Sequence, residues 1–136
     1  MGRPVTWLLF DTSAIYALAD RRDPNHGVAV ERLGRLQKQG YRFFLHSYLL
    51  AEATALLQHR LGLVVALRFL ADAASMRIHW VTARDHREAV ALLAARGKRE
   101  LSLVDCMSFV LMRRYGIAVA FAFDDDFPRE GFILLD

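Results

Sequence analysis

No disulfide can form within this chain, because Cys106 is its only cysteine. That fits a reducing compartment. Proline is scarce, with three residues, and the eight glycines are scattered. No Gly/Ser-rich linker, low-complexity tract or internal repeat divides the 136 residues. The longest apolar runs fall well short of the roughly 20 residues that cross a bilayer. The run after Met1-Gly2-Arg3-Pro4 ends at Asp11, too soon for the apolar stretch and cleavage site of a signal peptide. These absences predict one soluble, cytoplasmic domain over residues 1–136, with no membrane partner. Lysine is nearly missing too: two, against 16 arginines. Arginine forks match phosphate geometry. The formal net charge of only +3 nevertheless falls short of a strongly basic nucleic-acid footprint.

What is present is apolar and periodic. Hydrophobic residues make up 54% of the chain, enough for a substantial core and too many for a disordered segment. Val5–Phe10 reads as a short buried strand, and Asp11-Thr12-Ser13 as a helix start leading into Ala14–Ala19. Pro24 opens a second helix, with Val28, Leu33 and Leu36 at helical spacing up to Gly40. Tyr41–His46 is a second strand, and Ser47 is the expected cap of a helix over Tyr48–Leu61 that Gly62 closes. Leu63–Ala74 is a further apolar helix, Arg77–Val81 a third strand and Asp85–Ala95 an amphipathic helix. Arg96–Glu100 is a charged loop. Ser102 caps Leu103–Tyr115, which Gly116 ends. Ile117–Phe123 is a fourth strand, and Phe132–Leu135 a short last one. Strands alternating with helices predict a three-layer α/β/α sandwich with a mostly parallel central sheet of four to five strands and right-handed crossovers.

Four acids stand where such a fold opens a crevice. Ligands bind at the carboxyl ends of the strands, where strand order reverses. Asp11 follows the first strand and Asp124 the fourth, so neighbouring strands would bring them together. Glu52 lies in the nearly uncharged stretch Tyr48–Leu57, and Asp105 in Leu101–Phe109. A lone carboxylate among buried neighbours is costly unless paired, protonated or bound to a cation. Each also has a structural explanation. Asp11 fits a helix cap. Asp105 sits three residues after Ser102, as in a capping box. Glu52 fits a pair with Arg60 or Arg114. Asp124-Asp125-Asp126 fits a solvated turn. Gathered together, the four would repel one another, and a hard divalent cation removes that conflict. Mg²⁺ or Mn²⁺ prefers such oxygen ligands, whereas the five scattered histidines offer no zinc spacing. A cation of this kind acts naturally on phosphodiesters.

The stretch Asp11-Thr12-Ser13-Ala14-Ile15-Tyr16-Ala17-Leu18 resembles the first motif of PIN-domain nucleases, especially the VapC toxins of bacterial and archaeal toxin–antitoxin pairs. Leu50-Ala51-Glu52-Ala53 resembles the second motif and Leu101–Cys106 the third. Phe121-Ala122-Phe123-Asp124-Asp125-Asp126-Phe127 with Gly131-Phe132 resembles the fourth. The resemblance spans essentially the whole chain. It implies Mg²⁺- or Mn²⁺-dependent cleavage of RNA, with Asp11, Glu52 and Asp105 as core ligands, Asp124 completing the quartet and Asp126 as a fifth carboxylate. Ser13 would orient Asp11. It further implies a small antitoxin whose basic side chain enters the cleft, and a homodimer. One departure is Ala122, where many relatives carry Ser or Thr. Arg21, Arg22, Arg96, Lys98 and Arg99 fall in expected loops that could steer an RNA backbone. His26 and Cys106 are given no role.

Other classes fit less well. A haloacid-dehalogenase-type phosphatase wants a second Asp two residues after the first, where this chain has Ser13. Phosphate-cradling glycine loops are missing. A receiver domain needs an acid pair after strand one and a phosphoacceptor after strand three, and His79-Trp80-Val81-Thr82-Ala83 supplies none. The remaining alternatives are a housekeeping RNA-processing PIN nuclease and a PIN-like module that binds RNA or protein without cutting.

Overall fold

The computed structural model describes residues 5–136; Met1-Gly2-Arg3-Pro4, read above as preceding the first strand, lies outside them. In chain order the elements are β1 (Thr6–Phe10), α1 (Thr12–Ala19), α2 (His26–Lys38), β2 (Tyr41–His46), α3 (Ser47–Leu61) and α4 (Leu63–Ala73). There follow β3 (Arg77–His79), α5 (Ala83–Arg96), α6 (Leu103–Tyr115), β4 (Val119–Phe121), α7 (Asp126–Arg129) and β5 (Ile133–Leu134). The five strands form one all-parallel sheet in the order β3-β2-β1-β4-β5. The chain builds outward from β1 to β3, then crosses to β4 on β1's other side, so strand order reverses between β1 and β4. β1 can be central because Leu8, Leu9 and Phe10 are buried on both faces.

Pairing register sorts the side chains into two layers, because alternate residues face opposite ways. Phe10, Tyr41 and Phe43 share one face, where the Phe10 ring stacks on Phe43 at 4.5 Å and on Phe121 at 5.7 Å. Ile15 and Leu18 of α1, Leu33 of α2, Leu57 of α3 and Phe69 of α4 line a cleft with these same residues. The opposite face carries Phe44, which meets Tyr115 of α6 at 5.3 Å, and His46, which reaches Ser108 of α6. Helices α1–α4 therefore cover one side and α5–α6 the other.

Local sequence explains most element ends. Thr82 and Asp85 form a reciprocal capping box on α5, as Ser102 and Asp105 do on α6. Gly97 and Gly116 end these helices at φ 61° and 66°, the left-handed conformation that only glycine adopts cheaply. Thr82 as a cap starts α5 at Ala83, two residues before the expected Asp85. Strands β3 and β4 are shorter than expected, and Trp80 lies outside β3 with 67% of its surface exposed. The short helix α7 was not anticipated; Pro128 falls inside its four residues. Ser47 does not cap α3. His46 does: its Nδ1 accepts the Leu49 amide at 3.2 Å, while the Ser47 hydroxyl accepts the Val81 amide at 2.9 Å. The apolar stripe of α4 is only half core. Ala66, Phe69 and Ala73 are buried, but Leu63, Val64, Leu67 and Leu70 face outward.

His46 is fully buried, and its Nε2 lies 2.9 Å from Ser108 Oγ, which in turn donates to the Val104 carbonyl. Because Nδ1 accepts from Leu49, the ring is neutral with its proton on Nε2. Burial, reinforced by the His79 charge, pushes its pKa down to about 3. The unfolded chain takes up that proton below its ordinary value of 6.5. This residue's contribution is therefore complete above pH 6.5 and is lost as pH falls toward 3. His46→Leu, which lacks the cap acceptor, should cost roughly 1–3 kcal/mol at pH 7.5. That cost should shrink at pH 4 when both proteins are unfolded in urea. An equal cost at the two pH values would mean that the ring is not held neutral.

Candidate metal centre

Asp11 continues the β1 backbone by one residue; its amide donates to the Phe121 carbonyl at 3.1 Å, prolonging the β1–β4 pairing. The residue is also the N-cap of α1, accepting the Ser13 amide at 3.1 Å and the Ser13 hydroxyl at 2.6 Å. Ser13 Oγ in turn accepts the amide of Phe123 at 2.9 Å. One hydroxyl thus joins the start of α1 to the chain leaving β4 and fixes the Asp11 carboxylate between them. Next along that chain, Asp124 accepts the Asp126 amide at 2.9 Å, a turn that brings the two aspartates together where α7 begins. Asp105 arrives from the first turn of α6, on the opposite layer. Its capping box with Ser102 occupies one oxygen, and a carboxylate has two. The structural and chemical readings of Asp105 are therefore compatible.

Asp105, Asp124 and Asp126 each offer an oxygen, and these atoms lie within 4.8 Å of one another. Asp11 is the deepest of the group, only 5% exposed. Its pKa is pushed up to about 7, by burial first, against the Ser13 hydrogen bonds and with the charges of Asp105 and Asp124 adding. Asp105 is raised by burial, with Glu52 and Asp126 adding; Asp124 is raised by burial, with Asp105 and Asp126 adding. The all-oxygen donor set, the close approach and the mutual repulsion together fit a hard divalent cation. Ala122 is buried, so no hydroxyl stands two residues before Asp124.

Glu52 differs from its expected setting. Leu49, Ala53 and Leu57 form the buried stripe of α3, and Glu52 lies off that stripe, exposed. Its charge still acts on Asp105. Neither expected partner holds it. Arg60 stands over the Tyr16 ring at 5.3 Å, and Arg114 binds Asp85 and Glu88. Arg96 is no free loop cation either: it ends α5 and makes two hydrogen bonds to Glu130, which Arg113 also contacts. Arg21, Arg22, Lys98 and Arg99 are exposed. Cys106 is buried and its thiol is pushed up to about 11, chiefly by that burial. His26 holds the Ala17 carbonyl at 2.7 Å, tying α2 to α1. The Phe123 amide was invisible to sequence reading, since it meets Ser13 across 110 residues.

Folded Asp11 keeps its proton up to about pH 7, whereas the unfolded chain releases it near 3.8. The native state then binds more protons between those values and loses stability as pH rises through that window. Asp11→Asn keeps an oxygen acceptor for Ser13 and removes the titration. In EDTA at pH 7.5 it should be more stable than the parent by roughly 2–4 kcal/mol, a gain that fades toward pH 4. Urea unfolding at both pH values measures this. A variant less stable than the parent at pH 7.5 would contradict the repulsion described here.

The PIN domain family model matches residues 8–133. Two curated sequences from strains of Mycobacterium tuberculosis, both named 23S rRNA-specific endonuclease VapC20, are 34% identical over 128 residues, covering 93% of this chain and 95% of theirs. The crystal structure of M. tuberculosis VapC20, described as a sarcin–ricin loop cleaving toxin, superposes with a TM-score of 0.82. It is 34% identical, with 93% of this chain and 96% of that one covered. With its acids gathered where the strand order reverses, and with near end-to-end similarity to these proteins, the chain belongs to the PIN domain family.

Proposed function

We propose that the chain is a Mg²⁺- or Mn²⁺-dependent endoribonuclease and the toxin of a toxin–antitoxin pair. One observation carries the reading: Asp11, Asp105, Asp124 and Asp126 converge at the β1/β4 reversal with little to offset their charge. Among the described residues only Arg129, on Asp126 at 3.3 Å, pairs with any of them. Asp105, Asp124 and Asp126 would hold the cation, with Asp11 and Glu52 completing the set directly or through water. Bound there, a divalent cation supplies positive charge to a phosphodiester under attack. Ser13 sets the Asp11 carboxylate, and the α6 cap sets Asp105, so these acids need no rearrangement when substrate arrives.

RNA as substrate rests on the named activity of the relatives and on the centre's phosphodiester chemistry, with 23S rRNA the first target to try. The antitoxin partner rests on the same kinship. The cleft of about 850 Å³ over Phe10, Tyr41 and Phe43, which none of the clustered acids line and whose walls mix apolar side chains with Gln37, Arg42, Arg68 and Asp72, offers the antitoxin a seat. The outward row Leu63, Val64, Leu67 and Leu70 on α4 supports a homodimer. A housekeeping PIN nuclease would share this centre, and a short antitoxin reading frame beside the gene separates the two. A non-cutting module is disfavoured because every acid of the set is present.

Mn²⁺ should raise the thermal midpoint of the protein, and Asp11→Asn should abolish that rise. Cleavage of RNA should require Mg²⁺ or Mn²⁺, leave a 5′-phosphate, and drop at least about 10²-fold in Asp11→Asn and Asp105→Asn. Undiminished cleavage in EDTA, or by both variants, would remove the proposal.

A further inference from the structure

An acid-lined centre repels the polyphosphate it is meant to cut, so the strand needs fixed cations beside it. Six of the sixteen arginines are committed elsewhere. Arg35, Arg84, Arg96, Arg113, Arg114 and Arg129 each sit on a carboxylate. Arg32 does not. Its guanidinium lies over the Phe123 ring, 5.3 Å from the centroid, and makes no ion pair among the described residues. Its neighbour Glu31 is turned to Arg35 at 3.7 Å. Phe123 is the residue just before Asp124, and its amide is held by Ser13, so its backbone is fixed by the same hydroxyl that holds Asp11.

We propose that Arg32, seated on the ring of Phe123, the residue that precedes Asp124, binds a backbone phosphate of the RNA strand. The inference rests on the ribonuclease reading above. A cation over an aromatic face is held by the ring quadrupole, which leaves the N–H edge of the guanidinium free for a bidentate phosphate contact. The loop cations Arg21, Arg22, Lys98 and Arg99 carry the same charge but stand over no ring, so they would lose more rotamer freedom on binding. Arg113 provides the contrast. It too stands 5.3 Å from a ring, that of Phe132, but Glu130 neutralises it.

The test reads salt dependence. A short, labelled, single-stranded RNA of mixed sequence is titrated with Asp11→Asn protein at fixed Mg²⁺ across roughly 50–200 mM KCl, and anisotropy gives log K against log salt. Adding Arg32→Gln should flatten that slope by about 0.7, the share of one single-strand phosphate. Arg32→Lys should keep the parent slope. Arg113→Gln should also keep it, while lowering the thermal midpoint. With Asp11 intact, Arg32→Gln should raise KM for RNA cleavage and leave kcat nearly unchanged. An unaltered slope in Arg32→Gln overturns the proposal, as does Arg32→Lys behaving like Arg32→Gln. If the parent neither binds nor cuts RNA, the ribonuclease reading fails and takes this inference with it.

Discussion

Like-charged carboxylates held close together in a partly buried site are the constraint on which the rest of this molecule turns. Elsewhere the same chain neutralises its buried acids. Burial alone would raise Asp85, yet His79, Thr82 and Arg114 hold it far below the usual carboxylate range. Arg96 foremost, and then Arg113 against the effect of burial, hold Glu130 down to about 2. Asp11, Asp105 and Asp124 move the opposite way. The contrast within one small fold separates acids that stabilise the protein from acids that strain it. Strain of that kind persists only where surrounding structure over-determines the geometry.

Three local devices supply that determination here. A strand end delivers Asp11, a capping box delivers Asp105, and a tight turn delivers Asp124 and Asp126. None is unusual alone. The sheet makes them converge, because its reversal between β1 and β4 leaves a gap at the carboxyl edge that helices from both layers approach. The Ser13 hydroxyl closes the arrangement by donating to one side of that gap and accepting from the other.

Much of this was legible in the sequence. The strands around Trp7–Phe10 and Tyr41–His46 announced themselves by bulky apolar runs, and Ser102 with Asp105 by capping spacing. The positions of Asp11 and Asp124 after apolar strands were enough to expect a shared crevice. Other features were hidden for physical reasons. Glu52 looked enclosed because its sequence neighbours are apolar, but helical periodicity turns those neighbours inward and Glu52 outward. His46 capping α3 in place of Ser47 depends on a buried acceptor chain running through Ser108, 62 residues away. Arginine pairings such as Arg114 with Asp85 depend on how α5 and α6 pack, which periodicity within each helix does not encode.

The pairing of the first strand with the fourth also sets an order in time. β1 (Thr6–Phe10) is translated well before its partner β4 (Val119–Phe121). At about 5–20 residues per second, that partner arrives several seconds later. Until then one edge of β1 stays unpaired, the Ser13 hydroxyl lacks its Phe123 amide, and two of the clustered aspartates do not yet exist. A polypeptide truncated before Asp124 therefore lacks two of the clustered aspartates and cannot assemble the acidic centre.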